Sequence, residues 1–339
     1  MVKADGYGHG AAACAAAAMR GGATRLAVAT AREAEELRRH FPDARLFVMG
    51  AMTERELRTA LMADADVSAW HPEFVEAVYG LAADLGRPAR VHVKHDSGMG
   101  RLGERDGDSV FELAKDCLSY PNVELAGVWT HFATADEPDS GYLDEQLAAF
   151  QAVAERVREI EPGCLVHAAN SAATIREPSA HFDMVRCGIA IYGLDPFHRD
   201  PAEHGLEPAL ELSSYVAAVK RFPPGQSAGY GRTWRAPDGG TWVGVLPVGY
   251  GDGVRRGLGN KADVLVGGRR YPLVGTVSMD NVTIDLGPDT EVEVGAEAVL
   301  IGAQGSERIL AEEVAASLDT INYEVTCGIS ARVPRVHSA

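Results

Sequence analysis

The chain has 339 residues, of which 46% are hydrophobic and 24% charged, enough for one large domain and a smaller one. Its net charge of -16, without a run of Lys or Arg, argues against nucleic acid and membranes as partners and favours a small-molecule ligand. Five scattered cysteines without a CxxC pair argue against disulfides and a structural metal, so we expect a cytoplasmic protein.

The first two thirds of the chain alternate β-rich and helical segments. The chain opens with Met-Val-Lys, a glycine-rich turn and an alanine-rich helix, and seven β-rich runs separated by amphipathic helices follow up to about residue 195. Because eight βα units close a TIM barrel, we predict a (β/α)8 TIM barrel whose truncated first strand is Met-Val-Lys. An open doubly wound sheet is the alternative. The seven runs are RLAVAT, RLFVMG, ADVSAW, ARVHVKHD, VELAGVWTHFA, CLVHAAN and FDMVRCGIAIYGL.

From about residue 206 the pattern changes to Val-, Gly- and Pro-rich runs that lack intervening helices. These predict a mostly antiparallel β domain. One helix, ILAEEVAASLDTI, interrupts it before a final run, NYEVTCGISARVPRV. We therefore expect two domains, 1–205 and 206–339.

Polar residues at the ends of the predicted barrel strands are candidates for chemistry, because TIM-barrel active sites lie there. Taken singly, most have ordinary structural explanations, such as a helix N-cap at Asn170. Lys3 is different, because the flanking ADGYGHG is too specific for a frayed end. A lysine there can form a Schiff base with an aldehyde, above all pyridoxal 5'-phosphate. The other candidates are Lys94, Arg101, His131, Ser171, Arg186, Gly188 and Ile189.

Nine motifs, in this order along both predicted domains, closely resemble alanine racemase, the fold-type III family of pyridoxal-phosphate enzymes. The alternative of a dinucleotide-binding loop at GYGHG is weaker, since its spacing is G-x-G-x-G rather than G-x-G-x-x-G. The motifs are VKADGYGHG, HVKHDSGMGRLG, THFATAD, ANSAA, VRCGIAIYGL, GYGRTW, PVGYGDG, VSMDN and INYEV.

The resemblance implies two catalytic bases on opposite faces of the cofactor. Lys3 would bind pyridoxal 5'-phosphate and act as one base, and Tyr230 from the partner subunit of a homodimer would be the other. Arg186 would face the pyridine nitrogen. Since the ordinary pKa of tyrosine is about 10, Tyr230 needs cationic or hydrogen-bonding neighbours, and His131 and Arg186 would supply them.

The resemblance also implies the remaining ligand contacts. Lys94 matches a lysine that many members carry as a carbamate facing Arg101. Further cofactor contacts would come from Tyr7, Arg101, His131, Asn170, Ser171, Gly188, Ile189 and Tyr323. Substrate contacts would come from Arg101, Met279, Asp280 and Tyr250.

Compared with the family, the chain has only Met-Val before Lys3, where about 30 residues are usual for such units. A missing strand would leave two unpaired sheet edges, so we expect a misassigned start codon.

The sequence thus predicts an alanine racemase that interconverts L- and D-alanine and supplies D-alanine for peptidoglycan. The alternatives are a broader amino-acid or serine racemase and a non-catalytic pyridoxal-phosphate-binding protein. An NAD-dependent oxidoreductase is the least favoured.

Overall fold

The computed structural model describes residues 1–338, which divide into two compact units. Unit 1 comprises residues 1–191, and unit 2 begins at Tyr192. Within the described residues, every helix is too short or too polar to cross a lipid bilayer.

Unit 1 is built on a curled parallel sheet of six strands that pair in chain order, each followed by a helix. This is the βα series that the sequence predicts from residue 25 onward. The elements are α1 (Lys3–Tyr7), α2 (Ala11–Arg20), β1 (Arg25–Val28), α3 (Ala31–His40), β2 (Arg45–Val48), α4 (Glu54–Met62), β3 (Ala65–Ala69), α5 (Pro72–Leu85), β4 (Ala89–Lys94), α6 (Gly107–Ser119), β5 (Val123–Trp129), α7 (Tyr142–Ile160), β6 (Leu165–His167) and α8 (Ser171–Arg176).

Local sequence signals fix where the helices begin. Thr30 and Thr53 cap α3 and α4, and each forms a reciprocal capping box with the glutamate three residues later. His71 caps α5 and is followed by proline at the first helical position. These caps hold the helices in register with the strands that precede them.

The predicted first strand is not a strand. Met-Val leads directly into α1, and Val2 N donates a single sheet-like hydrogen bond to Ala27 O of β1, at 2.9 Å. On the other side, Met1 N donates to Cys187 O at 3.0 Å. Residues 1–2 therefore lie between β1 and the segment around residue 187 without forming a ladder.

The predicted eighth strand, residues 182–194, is also wrong as a strand. Asp183 N donates to Val166 O and Arg186 N to Ala169 O, so the segment lies beside β6 with widely spaced bonds. Phe182 has a left-handed φ of 46°, and the Asp183 carboxylate accepts the Val166 N–H that a ladder would use. The segment then turns into a 3-10 helix, Ile189–Tyr192.

The interior of the curled sheet is partly polar. Along β4, Val91 and Val93 alternate with His92 and Lys94, and all four are buried. Successive side chains of a strand point to opposite faces. The His92 ring reaches the aromatic interior, 4.4 Å between centroids from Phe47 of β2. The interior thus carries ionisable groups among aromatic rings.

Unit 2 is mainly an antiparallel sheet in the order β16-β15-β12-β13-β14-β11-β8, with β7 paired to β15 and β9 to β10 in a separate ribbon. The predicted β domain is confirmed in type. Its elements are β7 (Leu212–Tyr215), β8 (Ala218–Phe222), β9 (Ser227–Ala228), β10 (Trp234–Arg235), β11 (Thr241–Leu246), β12 (Asp263–Val266), β13 (Arg269–Val274), β14 (Val282–Gly287), β15 (Glu297–Gln304), β16 (Glu307–Ile309), α9 (Ala311–Ser317) and α10 (Asn322–Cys327).

One run in unit 2 differs from the prediction. NYEVTCGISARVPRV begins as helix α10 rather than as a strand. Its first residue, Asn322, is fully buried and donates from Nδ2 to Asp195 O and to Glu312 Oε1, both at 2.8 Å. These tertiary hydrogen bonds hold the turn in place and override the β propensity of the segment.

Candidate active site

Lys3 begins a short turn with unusual handedness. Ala4 (φ 52°, ψ 52°), Asp5 (φ 50°, ψ 48°) and Gly6 (φ 62°, ψ 43°) are left-handed, and Tyr7 also has a positive φ of 54°. For an ordinary L-residue this conformation costs roughly 1–2 kcal/mol. Strain of this kind persists only where surrounding structure enforces it, and it concentrates at functional sites.

Two side chains hold the strained turn. Ala4 N donates to Glu33 Oε1 at 2.7 Å, and Ala11 N donates to Asp5 Oδ1 at 2.8 Å. Glu33 is also the capping-box residue of α3. The position of Lys3 is therefore tied both to α3 and to the start of α2.

Arg186 is buried, and acceptors surround its guanidinium. Nη1 lies 3.0 Å from His167 Nδ1, while Nη2 donates to Thr130 O at 2.7 Å and to Ala168 O at 2.8 Å. Nη2 also lies 3.4 Å from His131 Nδ1. Burial lowers the pKa of Arg186 to about 9, so it remains a cation at pH 7.

One nitrogen of the Arg186 guanidinium has no hydrogen-bond partner among the described residues. This nitrogen is Nε, whose N–H is buried. The partners of the other guanidinium nitrogens are imidazole nitrogens and backbone carbonyls, never a carboxylate of the described chain. An unpaired buried donor on a cation is costly, so this atom marks a place where a ligand acceptor would fit.

Four cationic side chains surround His131, which lies just beyond β5. Burial holds the pKa of this histidine well below its ordinary value of 6.5. Neighbouring positive charges lower it further, and they belong to Arg186, Arg101, Lys94 and Lys3. Such a concentration of cations around a neutral imidazole is suited to an anionic ligand.

Lys94, the last residue of β4, is 2% exposed. Its Nζ lies 4.3 Å from the centre of the Trp129 ring, and the Arg186 guanidinium lies 4.8 Å from the same ring. Burial and then the charges of Arg101 and Arg186 lower the pKa of Lys94 to about 8. More of this amine is therefore neutral near physiological pH than in an exposed lysine, although the protonated form remains the larger share.

Tyr7, Ser171 and Gly188 come together beside the start of α8. Ser171 Oγ accepts from Gly188 N at 2.8 Å and from Ala190 N at 3.3 Å. A Cβ at Gly188 would collide with the Tyr7 hydroxyl, so only glycine allows this approach. Two hydroxyls therefore lie beside backbone N–H groups that now donate to Ser171 Oγ, and donor groups of these types suit phosphate.

Three further predicted site residues of unit 1 differ in their surroundings. Asn170 is the N-cap of α8, its Oδ1 accepting from Ala173 N at 3.0 Å. Ile189 is buried at the start of its 3-10 helix. Arg101 is exposed in the loop after β4.

The remaining predicted site residues belong to unit 2. Tyr230, Tyr250 and Met279 are 70%, 42% and 53% exposed, which is unusual for large apolar side chains. Asp280 pairs with Arg332 at 2.7 Å. Tyr323 is the second residue of α10, with its ring 6.2 Å from that of His198.

The comparisons with known proteins agree along the whole chain. The family model described as "Alanine racemase, N-terminal domain" matches residues 1–196, and "Alanine racemase, C-terminal domain" matches residues 209–337. The chain belongs to the alanine racemase family.

Individual relatives cover both units. The alanine racemase of Symbiobacterium thermophilum is 43% identical over 338 residues, which are 99% of this chain and 89% of that protein. The crystallised alanine racemase of Streptomyces coelicolor A3(2) superposes with a TM-score of 0.93 at 39% identity, covering 99% of this chain and 90% of that one. The enzyme of the D-cycloserine producer Streptomyces lavendulae gives a TM-score of 0.94 at 36% identity, covering 100% and 89%. The predicted family and fold class are confirmed.

The residues present in this alanine racemase family member fit pyridoxal phosphate. The buried Nε–H of Arg186 would suit a ring nitrogen as acceptor, and the surrounding cations would suit a phenolate and a carboxylate. The donors near Ser171 suit a phosphate, which needs no lysine cluster where backbone N–H groups converge. Lys3 would supply the amine, and its charge lowers the pKa of both His131 and Lys94.

Sequence reasoning missed three buried polar residues of this family member. Asp66 lies in β3, His92 in β4 and His167 in β6, and together they lead to Arg186. A signal was available, because each is an ionisable residue in a short, largely apolar strand: ADVSA, ARVHVK, which also carries Arg90 and Lys94, and LVH. Ionisable residues are almost never fully buried unless paired.

Proposed function

We propose that this chain is a pyridoxal-phosphate-dependent alanine racemase that interconverts L- and D-alanine as a cytoplasmic homodimer and supplies D-alanine for bacterial peptidoglycan. The observation that carries the proposal is the buried Arg186 guanidinium, whose Nε–H has no hydrogen-bond partner among the described residues and lies within a group of cations that includes Lys3. Family membership over both units supports it. The match of the C-terminal family model to residues 209–337 does not favour a single-domain cofactor-binding protein.

Lys3 would hold the cofactor covalently and then act as a base on one face of the substrate. When bound, pyridoxal phosphate withdraws electrons from the substrate and makes its Cα proton acidic. Lys3 Nζ would remove or return that proton, and the strained turn from Ala4 to Tyr7 would hold the amine in place. A positioned base of this kind contributes roughly 10²–10⁴-fold to a rate.

Tyr230 of a second copy of the chain would be the base on the opposite face. Its phenol oxygen would deliver a proton to Cα from the side opposite Lys3, so that the substrate leaves with inverted configuration. The 70% exposure of Tyr230 in a single chain leaves the ring available to another subunit. Met279 and Tyr250, which are also exposed, would accompany it.

Arg186 would set the reaction type. A guanidinium offers only donors, so Nε–H can hydrogen-bond a ring nitrogen but leaves that nitrogen without a proton of its own. A carboxylate at this place would instead hold a proton on that nitrogen and favour transamination. The arginine therefore favours racemisation.

The other unit 1 residues would bind rather than react. Tyr7, Ser171, Gly188 and Ile189 would bind the phosphate. Asn170 would contribute by capping the helix whose first residue is Ser171. Arg101 would contact the cofactor phenolate and the substrate carboxylate, with Lys94, as a carbamate, holding it in place. Asp280 and Tyr323 remain predicted contacts to substrate and phosphate.

The test is to reduce the purified protein with borohydride, digest it and map the labelled peptide, with racemisation of L-alanine measured beside L-serine and L-lysine. We expect the cofactor on Lys3 and the highest turnover with alanine. Lys3→Ala should lose both the label and the turnover, and the exposed control Lys115→Arg should keep both. Label on another residue, or none at all, would refute the proposal.

A further inference from the structure

Asp66, His92, His167 and Arg186 form a continuous line of contacts through the interior of the curled sheet, here called the Asp66 chain. His92 Nε2 lies 3.3 Å from Asp66 Oδ2, and His92 Nδ1 lies 2.9 Å from His167 Nε2. His167 Nδ1 then lies 3.0 Å from Arg186 Nη1. Asp66, His92 and His167 are fully buried, and Arg186 is 6% exposed.

The two ends of the chain allow only one direction of hydrogen bonding. Arg186 can only donate, so His167 Nδ1 must accept and His167 must carry its proton on Nε2. That proton is donated to His92 Nδ1, which places the proton of His92 on Nε2. An ionised Asp66 can only accept, and it accepts this last proton. Every contact is satisfied with both rings neutral.

A charged histidine would break this pattern. A second proton on His92 would occupy Nδ1 and force His167 Nε2 to accept. His167 would then carry its proton on Nδ1, facing the donor Nη1 of Arg186. The geometry therefore excludes an imidazolium at His92. Burial lowers the pKa of both rings, in agreement with this.

The far end of the chain is held as a carboxylate by two arginines. Arg25 Nη1 lies 3.0 Å from Asp66 Oδ2, and Arg90 Nε lies 2.5 Å from Oδ1. Burial alone would raise the pKa of Asp66, but the contacts with His92 and Arg90 lower it. Asp66 is therefore an acceptor at neutral pH.

The neighbouring strand β5 leaves room for the contact between the His92 and His167 rings. A Cβ at Gly127 of β5 would collide with His92 Nδ1, so only glycine leaves space for the contact. The ladder between β4 and β5 is irregular at this point, between Val91 and His92. The His167 ring stacks on Trp129, with an interplanar angle of 3° and 5.8 Å between centroids.

We propose that the Asp66 chain is a one-way hydrogen-bond relay in which Asp66, through His92 and His167, acts as the remote counter-charge of Arg186 and orients its guanidinium so that Nε–H stays available. This inference rests on the proposed function, since the available Nε–H matters only if a cofactor accepts it. Asp66 and His92 are positioning residues, because neither touches Arg186 directly.

The first test measures histidine tautomers in the holoenzyme labelled with ¹⁵N-histidine, by long-range ¹H–¹⁵N correlation near pH 7.5. We expect His92 and His167 both to be neutral with the proton on Nε2. His92→Gln identifies the signal of His92 by its loss. A proton on Nδ1 of either ring, or an imidazolium, overturns the proposal. This result is available from the unaltered protein even if a variant fails to fold.

The second test replaces the Asp66 carboxylate, which accepts the His92 proton, by an amide that can donate to His92. In Asp66→Asn an amide N–H₂ at the Oδ2 position would face both His92 and Arg25 while the carbonyl oxygen keeps the contact with Arg90, and the His92 proton would move to Nδ1. The matched control Arg25→Gln weakens the same ion cluster but leaves the carboxylate facing His92.

We expect Asp66→Asn to change the tautomers, to shift the visible absorption maximum of the bound cofactor and to lower kcat about 10-fold or more at nearly constant KM for alanine. That is the scale on which outer hydrogen-bond partners act in metal sites. Arg25→Gln should keep the tautomers and the absorption maximum, with kcat within about twofold. Equal effects of the two variants would refute the relay. Absence of cofactor and turnover in the unaltered protein would instead refute the proposed function, while its tautomers would still test the chain.

Discussion

A buried lysine such as Lys94 loses its proton more easily than an exposed one, because burial and neighbouring cations penalise its charge. The pKa of Lys94, lowered to about 8, leaves the nucleophilic amine available to CO₂. A carbamate would replace a buried cation with an anion near Arg101, which relieves the repulsion that lowers the pKa.

We predict that Lys94 carries a carbamate. Protein equilibrated with ¹³C-bicarbonate should show a carbamate carbon resonance that is lost in Lys94→Gln. The signal should decline as the pH falls through about 8, because the protonated amine does not react with CO₂. Lys115→Gln, at an exposed lysine paired with Glu112, should leave the signal unchanged. A signal that survives in Lys94→Gln would contradict the prediction.

The approach of Gly188 to Tyr7 gives a second prediction. Gly188→Ala places a methyl group against the Tyr7 hydroxyl and so distorts the donors proposed to bind phosphate. Overpacking typically costs about 1–3 kcal/mol, so the Kd for pyridoxal phosphate, measured by fluorescence titration, should rise about tenfold or more. Gly80→Ala in α5, where a Cβ meets nothing within 4 Å, should leave it unchanged. Equal Kd values for the two variants would show that this approach does not matter for binding.

The structure brings together some residues that the sequence singles out by their position in the chain, and their roles stay predictions. Lys3 and His131 stand at or near the ends of β-rich runs and Arg186 lies within the last run, and the charges of Lys3 and Arg186 both lower the pKa of His131. The unused Nε–H of Arg186 was not predictable, because it depends on which carbonyls surround the other guanidinium nitrogens. Pairing over long sequence distances cannot be inferred from spacing.

At the scale of elements, the turn after Lys3 departs furthest from expectation. The sequence suggests a strand that runs into a helix, and α1 is instead a left-handed turn. Gly6 alone would signal one left-handed residue. Ala4, Asp5 and Tyr7 are held there by contacts such as that of Ala4 N with Glu33, which only the tertiary structure provides.

The strain in this turn predicts opposite effects of the same substitution at two sites. Ala4→Gly removes a Cβ that disfavours the left-handed conformation, and we expect it to raise the free energy of unfolding by up to about 1 kcal/mol. Ala17→Gly in the exposed part of α2 should lower it by about 0.5–1 kcal/mol. Denaturant titration of both variants measures this. Equal destabilisation by the two would mean that the turn is not strained.

Strand prediction succeeded where a run is apolar and flanked by turn signals, as in RLFV of β2. It failed at residues 182–194, where hydrophobicity is equally high. There the Asp183 side chain takes the place of a ladder partner and Phe182 adopts a positive φ. Backbone competition by a short acidic side chain is a local effect that hydrophobic patterning does not register.

At the scale of the whole molecule, the proposed chemistry needs two copies of the chain. Lys3 lies in unit 1 and Tyr230 in unit 2. If Tyr230 acts on the Lys3 site of its partner, a homodimer carries two equivalent sites related by its twofold axis. A dimer that lacks Lys3 in both chains, or Tyr230 in both chains, would then have no complete site.

This arrangement predicts complementation between two inactive variants. After subunit exchange of Lys3→Ala with Tyr230→Phe at equal amounts, about half of the dimers are mixed, and each mixed dimer regains one of its two sites. Racemisation of L-alanine should therefore recover to about one quarter of the wild-type rate. A mixture that stays inactive although native mass spectrometry shows exchange would mean that both bases come from one chain.

The left-handed turn has a consequence for chemical synthesis. The backbone angles of Ala4 are the mirror image of those of a right-handed helix, which is the conformation natural to residues of D configuration. A synthetic peptide of residues 1–13 with D-alanine at position 4 could be ligated to the remainder at Cys14. Such a semisynthetic protein should have a higher melting temperature than the all-L chain. D-alanine, the proposed product of the enzyme, would then stabilise the turn that follows the proposed catalytic lysine.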